Sequence, residues 1–215
     1  MTTSQNIPGW KDKVLFTPGP LTTSRTVKQA MLRDLGSRDV EFIDIVRDIR
    51  RRLVALGEVD ESTYTCILQQ GSGTFGLESV IASTIPQGGK MLVAVNGAYG
   101  KRIVTMLERM GRATTTLEWP EDRPADPAAL DAALEADPAI AHVVVVHCET
   151  TSGVLNPIPE VAEVASRHGR PLIIDSMSAF GALPFDGGEV VFEALVASAN
   201  KCFEGVPGFG YAIIE

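Results

Sequence analysis

Seven short apolar runs alternate with helical patterns from residue 64 onward, and this alternation constrains the fold more than any other feature. The strand-like runs are Tyr64–Leu68, Met91–Val95, Ala113–Leu117, His142–His147, Leu172–Ile174, Ala194–Ala197 and Tyr211–Ile214. Helical patterns between them cover Thr74–Ile85, Tyr99–Met110, Pro127–Glu135 and Pro159–His168. Such alternation is typical of an α/β protein with a parallel sheet. Because the consecutive valines Val143–Val146 indicate a strand buried on both faces, we predict a mainly parallel seven-stranded sheet covered by helices.

Two further helices are predicted before the first strand. The hydroxyls of Thr22–Ser24 can cap a helix over about residues 25–35, which Gly36 would end. Asp39 is placed to cap the next helix. Six apolar residues recur in that helix at helical spacing, namely Phe42, Ile43, Val46, Ile49, Leu53 and Leu56.

Composition and charge limit the function classes. A hydrophobic share of 45% and a charged share of 21% are typical of a soluble globular protein. The net charge of −8 argues against nucleic-acid binding, which needs a basic face. Three cysteines without a CxxC pair indicate a reducing cytoplasm. No apolar run is long enough to span a membrane and no signal peptide is recognisable, so we predict a cytoplasmic protein without membrane association.

The domain prediction has two parts. Residues 1–13 are interpreted as an N-terminal arm, and residues 14–215 as one large domain. The run Tyr211–Ile214 has the pattern of a core strand, yet the sequence ends one residue later. Because domains normally end on a surface element, this pattern predicts a truncated chain.

The glycine-rich stretch Gly71-Ser-Gly-Thr-Phe-Gly76 follows a strand and opens a helix, which is the context of a phosphate-binding turn. A dinucleotide site would also need a carboxylate at the end of the next strand, but Val95–Ala98 contains none. The stretch therefore favours a single phosphate held by backbone N–H groups and the hydroxyls of Ser72 and Thr74. A nucleotide-dependent oxidoreductase and plain turn glycines remain as weaker interpretations.

Asp175 and Lys201 complete a recognisable constellation. Asp175 ends a buried strand, at the edge where open α/β sheets bind ligands, although an isolated aspartate there could simply cap a turn. Lys201 follows an apolar run and enters a loop of small residues, where a surface lysine is the plainer interpretation. Together with the phosphate turn they supply the three contacts that pyridoxal phosphate (PLP) needs: an amine, an acid and an anion site. Tyr99 is placed to lie on the ring or to pack in the core. No metal-ligand spacing is found.

Six segments carry a family resemblance, in order and over nearly the whole chain. They are Leu15-Phe-Thr-Pro-Gly-Pro-Leu21, Gln70-Gly-Ser-Gly-Thr-Phe-Gly-Leu-Glu78, Asn96-Gly-Ala-Tyr-Gly-Lys-Arg102, His147-Cys-Glu-Thr-Thr-Ser-Gly-Val154, Ile174-Asp-Ser-Met-Ser178 and Ser198-Ala-Asn-Lys-Cys-Phe-Glu-Gly-Val-Pro-Gly208. With these segments the chain resembles the class V aminotransferases of PLP fold type I. The resemblance implies that residues 14–215 are the PLP-binding large domain.

The resemblance also implies roles for individual residues. Lys201 would hold the cofactor aldehyde and then move the proton of the substrate, and Asp175 would pair with the pyridine nitrogen. The turn Thr17–Pro20 would shape the substrate entrance. The other implied contacts are Ser72, Gly73 and Thr74 with the phosphate and Asn200 nearby, Tyr99 and Met177 on the two ring faces, and Thr151 near the ring hydroxyl.

The implied reaction transfers the amino group of 2-aminoethylphosphonate to pyruvate, giving phosphonoacetaldehyde and alanine. Asn200 before the lysine and the Gly-Val-Pro-Gly that follows favour this substrate pair. Alanine–glyoxylate or serine–pyruvate transfer, cysteine desulfuration and an inactive fragment are the alternatives, although desulfurases usually carry histidine at the position of Tyr99. The family implies a homodimer in the full-length form. The arginine that clamps the substrate acid, and the loop that reaches the partner subunit's cofactor phosphate, would lie beyond Glu215.

Overall fold

The computed structural model describes residues 13–215, so nearly all of the predicted arm over residues 1–13 lies outside the described residues. Six helices form within the described range: α1 Arg25–Ala30, α2 Val40–Leu56, α3 Gly73–Thr84, α4 Ala98–Arg109, α5 Pro127–Ala136 and α6 Ile158–Arg167. The strands are β1 Thr65–Gln70, β2 Lys90–Val95, β3 Thr114–Glu118, β4 Ile140–Val146, β5 Cys148–Glu149, β6 Val154–Leu155, β7 Leu172–Asp175, β8 Ala194–Ser198 and β9 Phe209–Ile214. None of the described helices has both the length and the apolar character of a membrane-spanning segment.

Seven strands form one sheet in the order β1-β9-β8-β7-β4-β2-β3. The strands from β8 to β3 run parallel, whereas β9 runs antiparallel to both of its neighbours, β1 and β8. The predicted mainly parallel seven-stranded sheet is therefore confirmed. In the register of this sheet Asp175 pairs with Val146 on one side and with Val196 on the other. The carboxyl ends of β4, β7 and β8 consequently meet at one edge.

The core lies on both faces of the sheet, as the run of consecutive valines predicts. Val143 and Val145 of β4 face one apolar cluster, and Val144 and Val146 face the other. A strand with helices on both sides has no solvent-facing position, so alternation of polar and apolar residues is absent from it. The three central strands β4, β7 and β8 thus end at the ligand-binding edge from within the core.

The first two helices differ from their predictions in detail. Helix α1 ends at Ala30 instead of reaching residue 35, and since it buries none of its residues, no packing extends it. Asp39 stands at the N-cap position of α2, but its carboxylate accepts from the Gly36 N–H at 2.7 Å and makes no bond to the helix. Of the six apolar residues in the predicted α2 pattern, only Leu53 is buried. The pattern is right about the helix and wrong about how much of its face is covered.

A short hairpin was not predicted. Cys148 and Glu149 of β5 pair with Leu155 and Val154 of β6 in an antiparallel arrangement. Two-residue strands are too short to show a period in the sequence. The hairpin follows β4 directly and therefore lies at the same edge of the sheet as Asp175.

Candidate active site

One cavity of about 310 Å³ lies at this edge, between the carboxyl ends of β7 and β8 and the first turns of α3 and α4. Eight of the nine predicted site residues line it: Ser72, Gly73, Thr74, Tyr99, Asp175, Met177, Asn200 and Lys201. Thr151, the ninth, is not part of the cavity wall. Residues from four segments that are distant in sequence therefore surround one small-molecule-sized space.

The N-terminus of α3 forms one end of the cavity. Ser72 is its N-cap, and the Ser72 hydroxyl accepts from the Phe75 N–H at 3.1 Å. A Cβ built on Gly73 would lie 2.9 Å from Cε of Met177 and 3.1 Å from Cβ of Ser198, so only glycine allows this close approach. The first N–H groups of a helix lack intrahelical acceptors and favour an anion. The predicted phosphate turn thus opens into the cavity that also contains the acid and the amine.

Asp175 supplies a buried carboxylate, with only 5% of its surface exposed. Its Oδ1 accepts from the Met177 N–H at 3.2 Å. Burial raises the pKa of Asp175 to about 6, and the nearby Glu149 carboxylate adds to the rise. The Met177 N–H and the cations Arg102 and Lys201 act in the opposite direction. A buried acid of this kind is suited to a cationic ring nitrogen, which would favour its ionised form.

Lys201 follows β8 in a turn, and its side chain packs against a distant loop. A Cβ built on Gly19 would overlap the Lys201 side chain and lie 2.9 Å from its Nζ. The loop is closed by the Thr17 hydroxyl, which donates to the Pro20 carbonyl at 2.7 Å. The turn Thr17–Pro20 therefore lies directly on the amine, next to the cavity whose entrance it is predicted to shape.

The sequence analysis missed two side chains beside Tyr99, one arginine and one glutamate. The guanidinium of Arg102 lies 4.6 Å from the Tyr99 ring centroid and also lines the cavity. The sequence could have indicated this contact, because Tyr99 and Arg102 are three residues apart on one helix and therefore lie on the same face. Glu149 is fully buried and accepts from the Tyr99 N–H. It stands in the segment His147–Val154, where only Thr151 was assigned a role.

Thr151 stands in the loop between β5 and β6 and contacts the start of α4. Its hydroxyl donates to Glu149 Oε1 at 2.8 Å and accepts from the Ala98 N–H at 3.4 Å. The bond from Ala98 joins the hydroxyl directly to the helix terminus that carries Tyr99, and the bond to Glu149 joins it to the carboxylate that also accepts from the Tyr99 N–H. Its predicted contact with a ring hydroxyl stays a prediction.

Behind Asp175, the backbone N–H of His147 donates to the Asp175 carbonyl at 2.8 Å. Its imidazole Nδ1 lies 2.9 Å from the Ser176 hydroxyl, and burial lowers the pKa of His147 to about 4. This histidine is therefore neutral near pH 7. Burial also raises the pKa of the Cys202 thiol, which keeps it protonated beside Lys201. Among residues 13–215 no group of three or more histidine, cysteine and acidic side chains could hold a metal ion.

The chain belongs to the class V aminotransferase family, because the model of that family matches residues 22–215. This membership confirms the predicted family and, since class V aminotransferases depend on PLP, the predicted cofactor.

Among curated proteins, a 2-aminoethylphosphonate–pyruvate transaminase of Rhizobium meliloti (strain 1021) is 52% identical over 199 residues, which cover 93% of this chain and 52% of the relative. An enzyme of the same name from Cupriavidus pinatubonensis is 52% identical over 204 residues, covering 95% and 54%. The chain therefore spans about half the length of the curated relatives it matches.

Solved structures give the same fold. The pyridoxamine–pyruvate aminotransferase of Mesorhizobium loti superimposes with a TM-score of 0.86 at 27% identity, over 97% of this chain and 53% of that one. An alanine–glyoxylate aminotransferase from Nostoc sp. gives a TM-score of 0.88 at 25% identity, over 97% and 55%. These neighbours confirm the PLP fold type I prediction.

Proposed function

We propose that this chain carries the PLP-binding half of a transaminase that moves an amino group from 2-aminoethylphosphonate to pyruvate. The products are phosphonoacetaldehyde and alanine. One observation supports the proposal above all others: Asp175, Lys201 and the N-terminus of α3 border a single cavity. Acid, amine and anion site are the three groups that a PLP enzyme needs to hold its cofactor.

The residues present fit this cofactor. The first N–H groups of α3 and the hydroxyls of Ser72 and Thr74 would hold the phosphate, with Asn200 beside it, and Gly73 lets Met177 and Ser198 pack against this helix start. Asp175, buried and held by the Met177 N–H, would keep a proton on the ring nitrogen. When bound, PLP supplies an electron sink for the carbanion that forms on the substrate.

Lys201 would do the proton transfer. Its amine is flexible enough to hold the cofactor covalently and then, once released, to take a proton from the substrate carbon and return it to the cofactor. Gly19 confines the lysine stem on one side. Tyr99 and Met177, which both line the cavity, would enclose the ring from its two faces. The Thr151 hydroxyl donates to Glu149 and accepts from the Ala98 N–H, so it would have a second lone pair left to accept from the ring hydroxyl.

The substrate part of the proposal is supported by the names of relatives that are 52% identical in sequence to this chain. The same resemblance leads us to propose a homodimer in the cytoplasm, with small-molecule substrates. The net charge of −8 supports the exclusion of nucleic acid as a partner. The clamping arginine and the partner-subunit contact to the phosphate are expected outside this chain.

Donor selection tests the proposal. The chain, loaded with PLP, should lose its visible absorption band faster with 2-aminoethylphosphonate than with alanine, serine or cysteine at equal concentration. Added pyruvate should restore the band, and isotopically labelled donor nitrogen should appear in alanine. Faster conversion by alanine or serine would favour the alternative transaminases, and sulfide release from cysteine would favour a desulfurase. A PLP-loaded chain that converts no donor would contradict the proposed activity for this chain and favour the inactive fragment.

A further inference from the structure

Helix α4, which carries Tyr99, begins without a capping side chain of its own. Its N-cap is Gly97, which has no side chain to accept from the helix. The first N–H groups of any helix lack intrahelical acceptors, and leaving them unpaired in a buried position is unfavourable. The donors at the start of α4 must therefore be satisfied from elsewhere in the fold.

Glu149 of β5 provides the acceptors. Its Oε2 accepts from the Tyr99 N–H at 3.2 Å and from the Gly100 N–H at 3.3 Å. Its Oε1 accepts from the Thr151 N–H at 3.2 Å and from the Thr151 hydroxyl at 2.8 Å. One carboxylate thus joins the start of α4 to the hairpin.

Gly97 leaves the space in which the Glu149 carboxylate lies. A Cβ at position 97 would overlap the Glu149 side chain and lie 2.8 Å from Oε2. The φ of Gly97 is 172°, an extended conformation open to any residue. The glycine is therefore needed for the space that Glu149 occupies.

Glu149 also places a negative charge in the interior of the fold. Glu149 is fully buried and, within residues 13–215, makes no ion pair. Backbone N–H groups, a hydroxyl and the positive end of the α4 dipole are what stabilise its negative charge. Its field reaches Asp175, where it opposes ionisation.

We propose that Glu149 is a positioning residue for the cofactor ring, holding Tyr99 on the ring face and Thr151 beside it while placing a second negative charge near Asp175. This inference rests on the proposed function, because it assigns Glu149 a role toward PLP. Glu149 itself lines no part of the cavity and acts through Tyr99, Thr151 and Asp175.

Glu149→Gln tests both parts of the role, since it keeps the shape but removes the charge and one acceptor. PLP affinity, followed by the visible band, should fall about tenfold, in keeping with a buried donor left unpaired. The midpoint pH of that band should also fall. The Glu149 carboxylate favours the protonated, positively charged form of the nitrogen that would link Lys201 to PLP, and glutamine does not. A merely structural role would leave the midpoint unchanged. Glu160→Gln, the same change in the first turn of α6, should leave both unaltered.

Glu149→Asp separates position from charge. It keeps the carboxylate but shortens its reach, so affinity should fall while the midpoint stays near that of wild type. A Glu149→Gln chain with wild-type affinity and midpoint would overturn the inference, as would an Asp variant with wild-type affinity if the Gln variant does not fold.

Hydrogen exchange in the cofactor-free chain gives an independent readout. The amides of Tyr99 and Gly100 should exchange faster in Glu149→Gln than in wild type, because the carboxylate oxygen that accepts from both is weakened or lost. A wild-type chain that forms no visible band would contradict the proposed cofactor site instead. In that case unchanged exchange at Tyr99 and Gly100 would overturn the role of Glu149 as well.

Discussion

Gly19 lies against the side chain of Lys201, although the two residues come from opposite ends of the chain. A Cβ at position 19 would be 2.9 Å from both Cε and Nζ of the lysine. The backbone of Gly19 has a φ of +154°, which side-chain-bearing residues rarely adopt. The N-terminal loop is thereby fitted to the lysine stem, and the position of the amine depends on it.

Gly19→Ala should therefore displace the amine more than it unfolds the protein, since the atoms it meets are the far end of a flexible side chain. We expect the covalent attachment of PLP, measured from the visible band, to weaken at least tenfold. Gly208→Ala is the matched control, with nearly the same φ of +152° and nothing within 4 Å of the added methyl. Equal losses in both variants would show that backbone strain, and not contact with Lys201, is responsible.

Gly73→Ala should block the phosphate end of the cavity. The new methyl group would overlap Met177 and press on Ser198, and overpacking of this kind costs about 1–3 kcal/mol of unfolding free energy. Urea unfolding and equilibrium dialysis with PLP would measure both effects. Gly76→Ala, one turn later in α3, meets Gln69 Oε1 at 3.2 Å and Val196 Cγ1 at 3.5 Å and should retain most of the affinity. Wild-type binding by Gly73→Ala would remove the phosphate assignment.

Asp175→Asn should stabilise the cofactor-free chain above pH 6. Because the pKa of Asp175 is raised to about 6, the folded state favours its protonated form, and its contribution to stability is lost as pH rises from about 4 to 6. The variant should gain roughly 3 kcal/mol at pH 7.5 and nothing below pH 4. Urea unfolding at several pH values checks this, and PLP binding by the same variant should weaken. A variant no more stable than wild type at pH 7.5 would contradict the burial of an uncompensated acid.

Asn156→Asp should destabilise the loops that precede the site. The Asn156 amide donates to the Val146 carbonyl at 2.7 Å, and its oxygen accepts from Asn96 and from the Ala125 N–H. An acid there loses its donors and buries a charge, so we expect a loss of about 3 kcal/mol or more in urea unfolding. The exposed change Gln87→Glu should stay within about 0.5 kcal/mol. An equally small effect of Asn156→Asp would mean that this amide network does not hold the edge of the sheet.

Much of the site could be predicted because parallel strands bring their carboxyl ends to one edge. Asp175 at a strand end and the glycine turn before α3 were therefore expected at the same edge of the sheet, but the order of the strands, which sets their distance, was not predicted. Glu149 could not be found in this way, since its two-residue strand has no period and its partners are backbone N–H groups.

The contact between Gly19 and Lys201 was equally hidden, because nothing in the sequence pairs the two loops. The apolar pattern of α2 likewise indicated an amphipathic helix but not what covers its face, and only its last turns pack on the sheet.

Reductive trapping is the most direct test of the central claim that Lys201, Asp175 and the start of α3 hold one PLP molecule. The chain is loaded with PLP, reduced with borohydride and digested, and the modified peptide is identified by mass spectrometry. We predict a single modification, on Lys201, that disappears in Lys201→Ala. Modification of another lysine, or a yield unaffected by Lys201→Ala, would contradict the account.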